Sequence, residues 1–290
     1  MSAKSLVKPF IFSLVILPAI FAATVGLKGA AAAGPLTVAL FAATVLVELF
    51  ALAQFVRVRR SFAAGDPGHL TWTLIVTFMT VRLVGEARLL TLTCGLAPEY
   101  NYGSSAGVFF YVVVLRYLYT LSDVLFIAAL LTTIRSYKGT GLPFKVLPVD
   151  YVYMLAVWTL PLVTYVYRDN LLQTTLGTAD RYVRTYRLVA VTVGAAIVSV
   201  CIVVRRYASQ MGGGAVARVW NTVVIAGVAR DGSFLALALV ASWSKPASTF
   251  VEQYLLWAFA CCWLMAALYQ SAVFSRAAES AEVAIAESVA

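Results

Sequence analysis

The stretch PLTVALFAATVLVELFALAQFV at positions 35–56, closed by RVRR at 57–60, decides the fold class. Its 22 residues contain one charge, Glu48. As a helix rising about 1.5 Å per residue, such a run covers the roughly 30 Å hydrocarbon core of a bilayer. Basic residues at its end suit an interface with lipid headgroups. Seven more stretches of this kind lie at 9–27, 70–93, 108–134, 147–167, 185–204, 219–243 and 250–275. Turn-forming residues fall between them: Gly34-Pro35, Asp66-Pro67-Gly68, Gly139 to Pro143, Gly212-Gly213-Gly214 and Lys245-Pro246. The reading is an all-α, polytopic membrane bundle of about eight transmembrane helices over 1–275, with a polar, partly helical tail over 276–290.

Composition agrees. Of 290 residues, 62% are hydrophobic and only 12% charged, and the mean hydropathy is +0.88. A soluble domain runs nearer half apolar and a quarter charged. Short loops leave no room for a soluble catalytic domain beside the spans. The first stretch, preceded by Lys4 and Lys8 and followed by Ala31-Ala32-Ala33, resembles a signal peptide. Its run from Pro9 to Leu27 is longer than a usual signal core, which favours a retained helix; cleavage would leave seven.

With the N-terminus in the cytoplasm, that side holds Lys4, Lys8, Arg57, Arg59, Arg60, Arg135, Lys138, Lys145, Arg205, Arg206, Arg218 and Arg276. The opposite side holds Lys28, Arg168, Arg181, Arg184, Arg187 and Lys245. The bias supports both termini inside and an even number of spans, in the endoplasmic reticulum if the cell is eukaryotic. The net charge of +9 is thus a topology signal. Dispersed basic residues at span ends argue against a nucleic-acid partner. The partners expected are the bilayer and a hydrophobic small molecule.

The single histidine, His69, excludes sites that need two imidazoles. Cys94, Cys201, Cys261 and Cys262 form no C-x-x-C pair and read as small apolar packing residues. No metal and no cofactor is expected.

Beyond the first turn of each predicted span, eight charges fall inside: Arg82, Arg88, Arg116 and Arg230 against Glu48, Glu86, Asp123 and Asp231. Charges at this depth cost several kcal/mol and must face the bundle interior, paired or near water. Arg82 and Glu86 are one turn apart on one face. Arg116 and Asp123 share a face two turns apart, with Tyr119 and Thr120 between them. Arg230 and Asp231 point about 100° apart, so at least one needs a partner on another helix. Interhelical pairs that fix packing register are the plain explanation. The functional one places one or two carboxylates in a pocket where desolvation lets them hold a transferable proton.

Aromatic residues are the second signal. Tyr151, Tyr153, Tyr165, Tyr167 and Tyr207 sit at span ends, as an interfacial belt would. Tyr111, Tyr117, Tyr119, Tyr254, Trp257 and Trp263 lie deeper. Packing accounts for such residues, and so does an aromatic wall around an apolar or cationic guest.

A retinal-binding opsin needs a lysine deep in its last helix; the lysines here, 4, 8, 28, 138, 145 and 245, are all at edges or in loops. No Asp-Arg-Tyr closes the third span, as in common G-protein-coupled receptors (the triplet Asp180-Arg181-Tyr182 falls between the fifth and sixth), and their Asn-Pro-x-x-Tyr motif is absent, as are the paired aspartate clusters of membrane prenyltransferases and any phosphate-binding glycine loop.

Asp231-Gly232-Ser233-Phe234 in the seventh span and Val47-Glu48-Leu49 in the second resemble the small integral-membrane terpene cyclases of fungal meroterpenoid pathways. The resemblance implies a helical bundle in which the two carboxylates protonate an epoxide or olefin on a prenylated substrate. That family has its Asp in the last of seven helices, whereas a further helix follows here, and it lacks the Arg82/Glu86 and Arg116/Asp123 pairs. The resemblance makes Asp231 and Glu48 catalytic candidates; the intramembrane charges add Glu86 and Asp123, and with the deep aromatic residues they make Arg82, Arg116, Arg230, Tyr119, Trp257 and Tyr254 the expected substrate contacts. The alternative is a multi-span receptor or transporter with an intramembrane Arg/carboxylate network.

Overall fold

The structure, a computed structural model, describes residues 3–29, 33–94, 116–141, 143–172, 181–210, 214–240 and 245–289. Among them there are eight helices and no strand: α1 Ala3–Lys28, α2 Ala33–Arg60, α3 Pro67–Thr93, α4 Arg116–Lys138, α5 Pro148–Leu172, α6 Arg181–Gln210, α7 Gly214–Val240 and α8 Lys245–Val289. Positions 108–115 of the fourth predicted stretch and 241–243 of the seventh lie outside the described residues. The tail expected from 276 continues α8 as helix.

Five of these helices contain segments long and apolar enough to cross a membrane: Ser5–Leu27, Gly34–Arg60, Tyr117–Lys138, Thr192–Gln210 and Thr249–Phe274. The chain is a membrane protein. The α3 helix, which carries Arg82, Glu86 and Arg88 in one stretch, is not among the five.

Two starts show how local chemistry sets the ends. Pro67 opens α3, where a missing N–H costs nothing, and the Asp66 carboxylate just before it accepts from the Ala63 N–H at 2.7 Å. Pro148 opens α5, and Asp150 reaches back to accept from the Leu147 N–H at 2.9 Å, a capping arrangement at the third helical position. Arg206 of α6 then grips Asp150 through Nε and Nη2, both at 2.8 Å, and ties α5 to α6.

Helices α2, α3, α4, α6, α7 and α8 pack each against the next, and α8 closes back on α2. They form a six-membered ring. Helix α1 lies outside it against α8 and α2, and α5 lies outside against α6 and α7. This explains the exposed apolar faces of both, among them Phe12 and Val15 on α1 and Val152, Leu155 and Leu160 on α5. In lipid such faces meet hydrocarbon.

Trp263 sits at the centre of the ring. The rings of Phe55, Phe78, Phe126 and Phe259 lie 5.4, 5.4, 5.1 and 6.0 Å from it. With no hydrophobic driving force between helices in lipid, close packing of this kind holds a bundle together. Nearer one end, Thr71 meets Thr132 at 3.0 Å, the Trp220 indole donates to Tyr137 at 2.8 Å, and Phe62 meets Phe274 edge-on at 4.8 Å. These contacts gather at one end the helix termini that carry Arg57, Arg59, Arg60, Arg135, Lys138, Arg205, Arg206 and Arg218. The six basic residues expected at the opposite end have side chains outside the described set.

Candidate functional site

A second layer lies on the other side of Phe259 from that end. Arg82 of α3 is 3% exposed. Its Nε lies 3.3 Å from Glu48 of α2, and its Nη2 lies 2.8 Å from Glu86 one turn along its own helix. The guanidinium lies 4.3 Å from the centre of the Phe259 ring of α8 and 5.9 Å from that of Tyr119 of α4. A ring face stabilises a desolvated cation. The Tyr119 hydroxyl hydrogen-bonds Glu86. Gly85 makes room for this: a Cβ there would touch the Tyr119 ring at 3.5 Å, so any longer side chain would push the tyrosine away.

Arg230 of α7 reaches across the ring interior to Asp123 of α4 at 2.6 Å. The two pairs feel one another electrostatically, Arg230 through Glu86 and Arg82 through Asp123. Glu48, Arg82, Glu86, Asp123 and Arg230 are therefore one buried cluster on four helices, each of them 6% exposed or less. Among the described residues, three carboxylates share two guanidiniums, and the second oxygen of Glu48, Oε2, has no hydrogen-bond partner.

Six of the ten residues singled out in the sequence meet here: Glu48, Arg82, Glu86, Tyr119, Asp123 and Arg230. The side chains of Arg116 and Asp231 lie outside the described set, as do those of Tyr111, Tyr165 and Tyr167. The partner found for Asp123 is Arg230; Arg116 stands two turns away along α4, roughly 10 Å, a long reach for a direct pair. Arg88 is half-buried toward the far end of α3.

Tyr254 and Trp257 go elsewhere. The Trp257 indole donates to Ser13 Oγ at 3.0 Å and the Tyr254 hydroxyl to the Leu14 carbonyl at 2.8 Å, both on α1. Pro18, four residues past Leu14, has no N–H to give that carbonyl its helical partner. Tyr254 replaces the missing bond. Beside this seam, Leu6, Phe10, Val47, Trp257, Cys261 and Leu264 line a half-open apolar cavity of about 160 Å³.

Sequence reasoning missed Phe259 as a neighbour of Arg82, because spacing along one helix says nothing about the helix facing it. It also missed Ser13 and Leu14, although Pro18 marks an unsatisfied carbonyl. Among the described residues no group of three or more His, Cys, Asp or Glu is placed to hold a metal ion. Comparison with family models, with characterised proteins and with solved structures finds no match.

Proposed function

We propose that this chain is a multi-span transporter or receptor whose two states differ in how the buried cluster is paired, with one proton as the coupled species. Its eight helices would all cross the bilayer, with the arginine-rich end and both termini in the cytoplasm. The observation that carries this reading is that, among the described residues, three carboxylates share two guanidiniums in one buried site. A net charge buried in the bundle costs far more than a neutral set. One proton on the cluster makes it neutral, and gaining or losing that proton changes which carboxylate each arginine holds. Arg82 and Arg230 join four helices, so re-pairing moves helices.

Purified protein in lipid nanodiscs tests this. Tryptophan fluorescence should titrate between two levels in a one-proton step, since Trp263 packs against Phe259, whose ring lies beside Arg82. Glu48→Gln should remove that step while the protein stays folded. A step unchanged in Glu48→Gln would overturn the proposal.

A second reading, a metal-independent cyclase acting on a prenylated hydrophobic substrate, draws support from the unpartnered oxygen of Glu48 and the aromatic faces beside it. A neutral carboxylic acid can protonate an olefin or epoxide, and ring faces stabilise the cation that follows. Membranes carrying the protein would then convert an epoxidised farnesyl-phenol to a cyclic product without added metal or nucleotide. Asp231→Asn would abolish that turnover with expression intact.

A further inference from the structure

The cavity between α1, α2 and α8 lies outside the charged cluster and carries its own chemistry. Its lining is apolar. Its polar atoms are already satisfied: the Ser13 hydroxyl donates to the Phe10 carbonyl at 2.7 Å and accepts from the Trp257 indole at 3.0 Å. No group there asks for an ion, a headgroup or a hydrogen-bonding ligand. At about 160 Å³ it matches the engineered apolar cavities of roughly 150 Å³ that stay dry and take benzene-sized guests. It is also half-open, so an elongated guest can insert one end and leave the rest in the bilayer.

We propose that this cavity binds the end of a single hydrocarbon chain drawn from the membrane, held between α1 and the α2/α8 seam. The bilayer surrounding a membrane protein supplies such chains. Val47 lines the cavity while the next residue, Glu48, faces the ion cluster from the same turn of α2. An occupant thus presses on the helix that carries Glu48. The proposal stands apart from the two-state reading, because it needs no proton and no change of pairing.

The test uses the full chain in nanodiscs with a diazirine-bearing palmitate, photolysed and mapped by mass spectrometry. Adducts should concentrate on Phe10, Val47, Trp257 and Leu264. Excess unlabelled palmitate should lower them about tenfold, while labelling of the lipid-facing Val152 and Leu155 on α5 stays constant. Filling the cavity from either wall, by Cys261→Phe on α8 or Leu6→Phe on α1, should lower the cavity adducts about as much. Two results would overturn the proposal. One is cavity labelling no stronger than on α5 and not competed. The other is wild-type labelling in a filled variant that keeps the wild-type melting temperature.

Discussion

Arg82 shows most clearly what a buried guanidinium does here. It has two carboxylates within 3.3 Å and an aromatic ring face at 4.3 Å, so removing it strands two negative charges at once. Breaking a buried pair from one side costs about 3–5 kcal/mol. Arg82→Met should therefore abolish the yield of folded protein. Asp123→Asn and Arg230→Met, taken singly, should each lower the melting temperature sharply. Together they should recover much of the loss, with a coupling of about 1–3 kcal/mol, read by thermal unfolding in detergent. The Arg82–Glu86 contact was legible in the sequence because one helical turn fixes it. Glu48–Arg82 and Asp123–Arg230 were not, for they join residues 34 and 107 positions apart. Balanced charge in the spans shows that pairs must exist; only helix order decides which.

Among the elements, α1 depends on particular bonds. It packs on the outside of the ring, and the bonds to α8 described above come from Tyr254 and Trp257. Tyr254→Phe should leave the Leu14 carbonyl without a partner and weaken α1 docking by about 1–3 kcal/mol. Pro18→Ala restores an N–H at the helical position, so the double variant should regain protection in hydrogen exchange across α1. A double variant as unprotected as Tyr254→Phe would refute this account of the seam. At the other outlying helix, Asp150 caps α5 and binds Arg206 at once. Asp150→Asn should loosen α5 by about 1.5–3 kcal/mol, seen as faster proteolysis at its start. Helix boundaries were largely legible, since proline, glycine and acidic caps punctuate the apolar runs. That α1 and α5 stand outside the ring was not, because both are at least as apolar as most helices within it.

At the scale of the molecule, two layers fill one ring: an aromatic plug around Trp263 and, across Phe259, the ion cluster. The plug is apolar apart from the Trp263 indole Nε1, which has no hydrogen-bond partner among the described residues. Trp263→Ala should cost stability, by roughly the 3–5 kcal/mol seen for large aromatics in soluble cores, without touching the charge balance. The basic residues gathered at one end predict sidedness: a cysteine placed at exposed Arg60 should react with a membrane-impermeant maleimide only when the cytoplasmic face is open. The claim on which the account turns is that the cluster carries a proton. Infrared difference spectroscopy of the protein in nanodiscs measures this directly, through the C=O stretch of a protonated carboxyl that shifts in heavy water. We predict such a band in the wild type, lost in Glu48→Gln and retained in Asp150→Asn. A wild-type spectrum with no protonated-carboxyl band, or one that persists unchanged in Glu48→Gln, would contradict it.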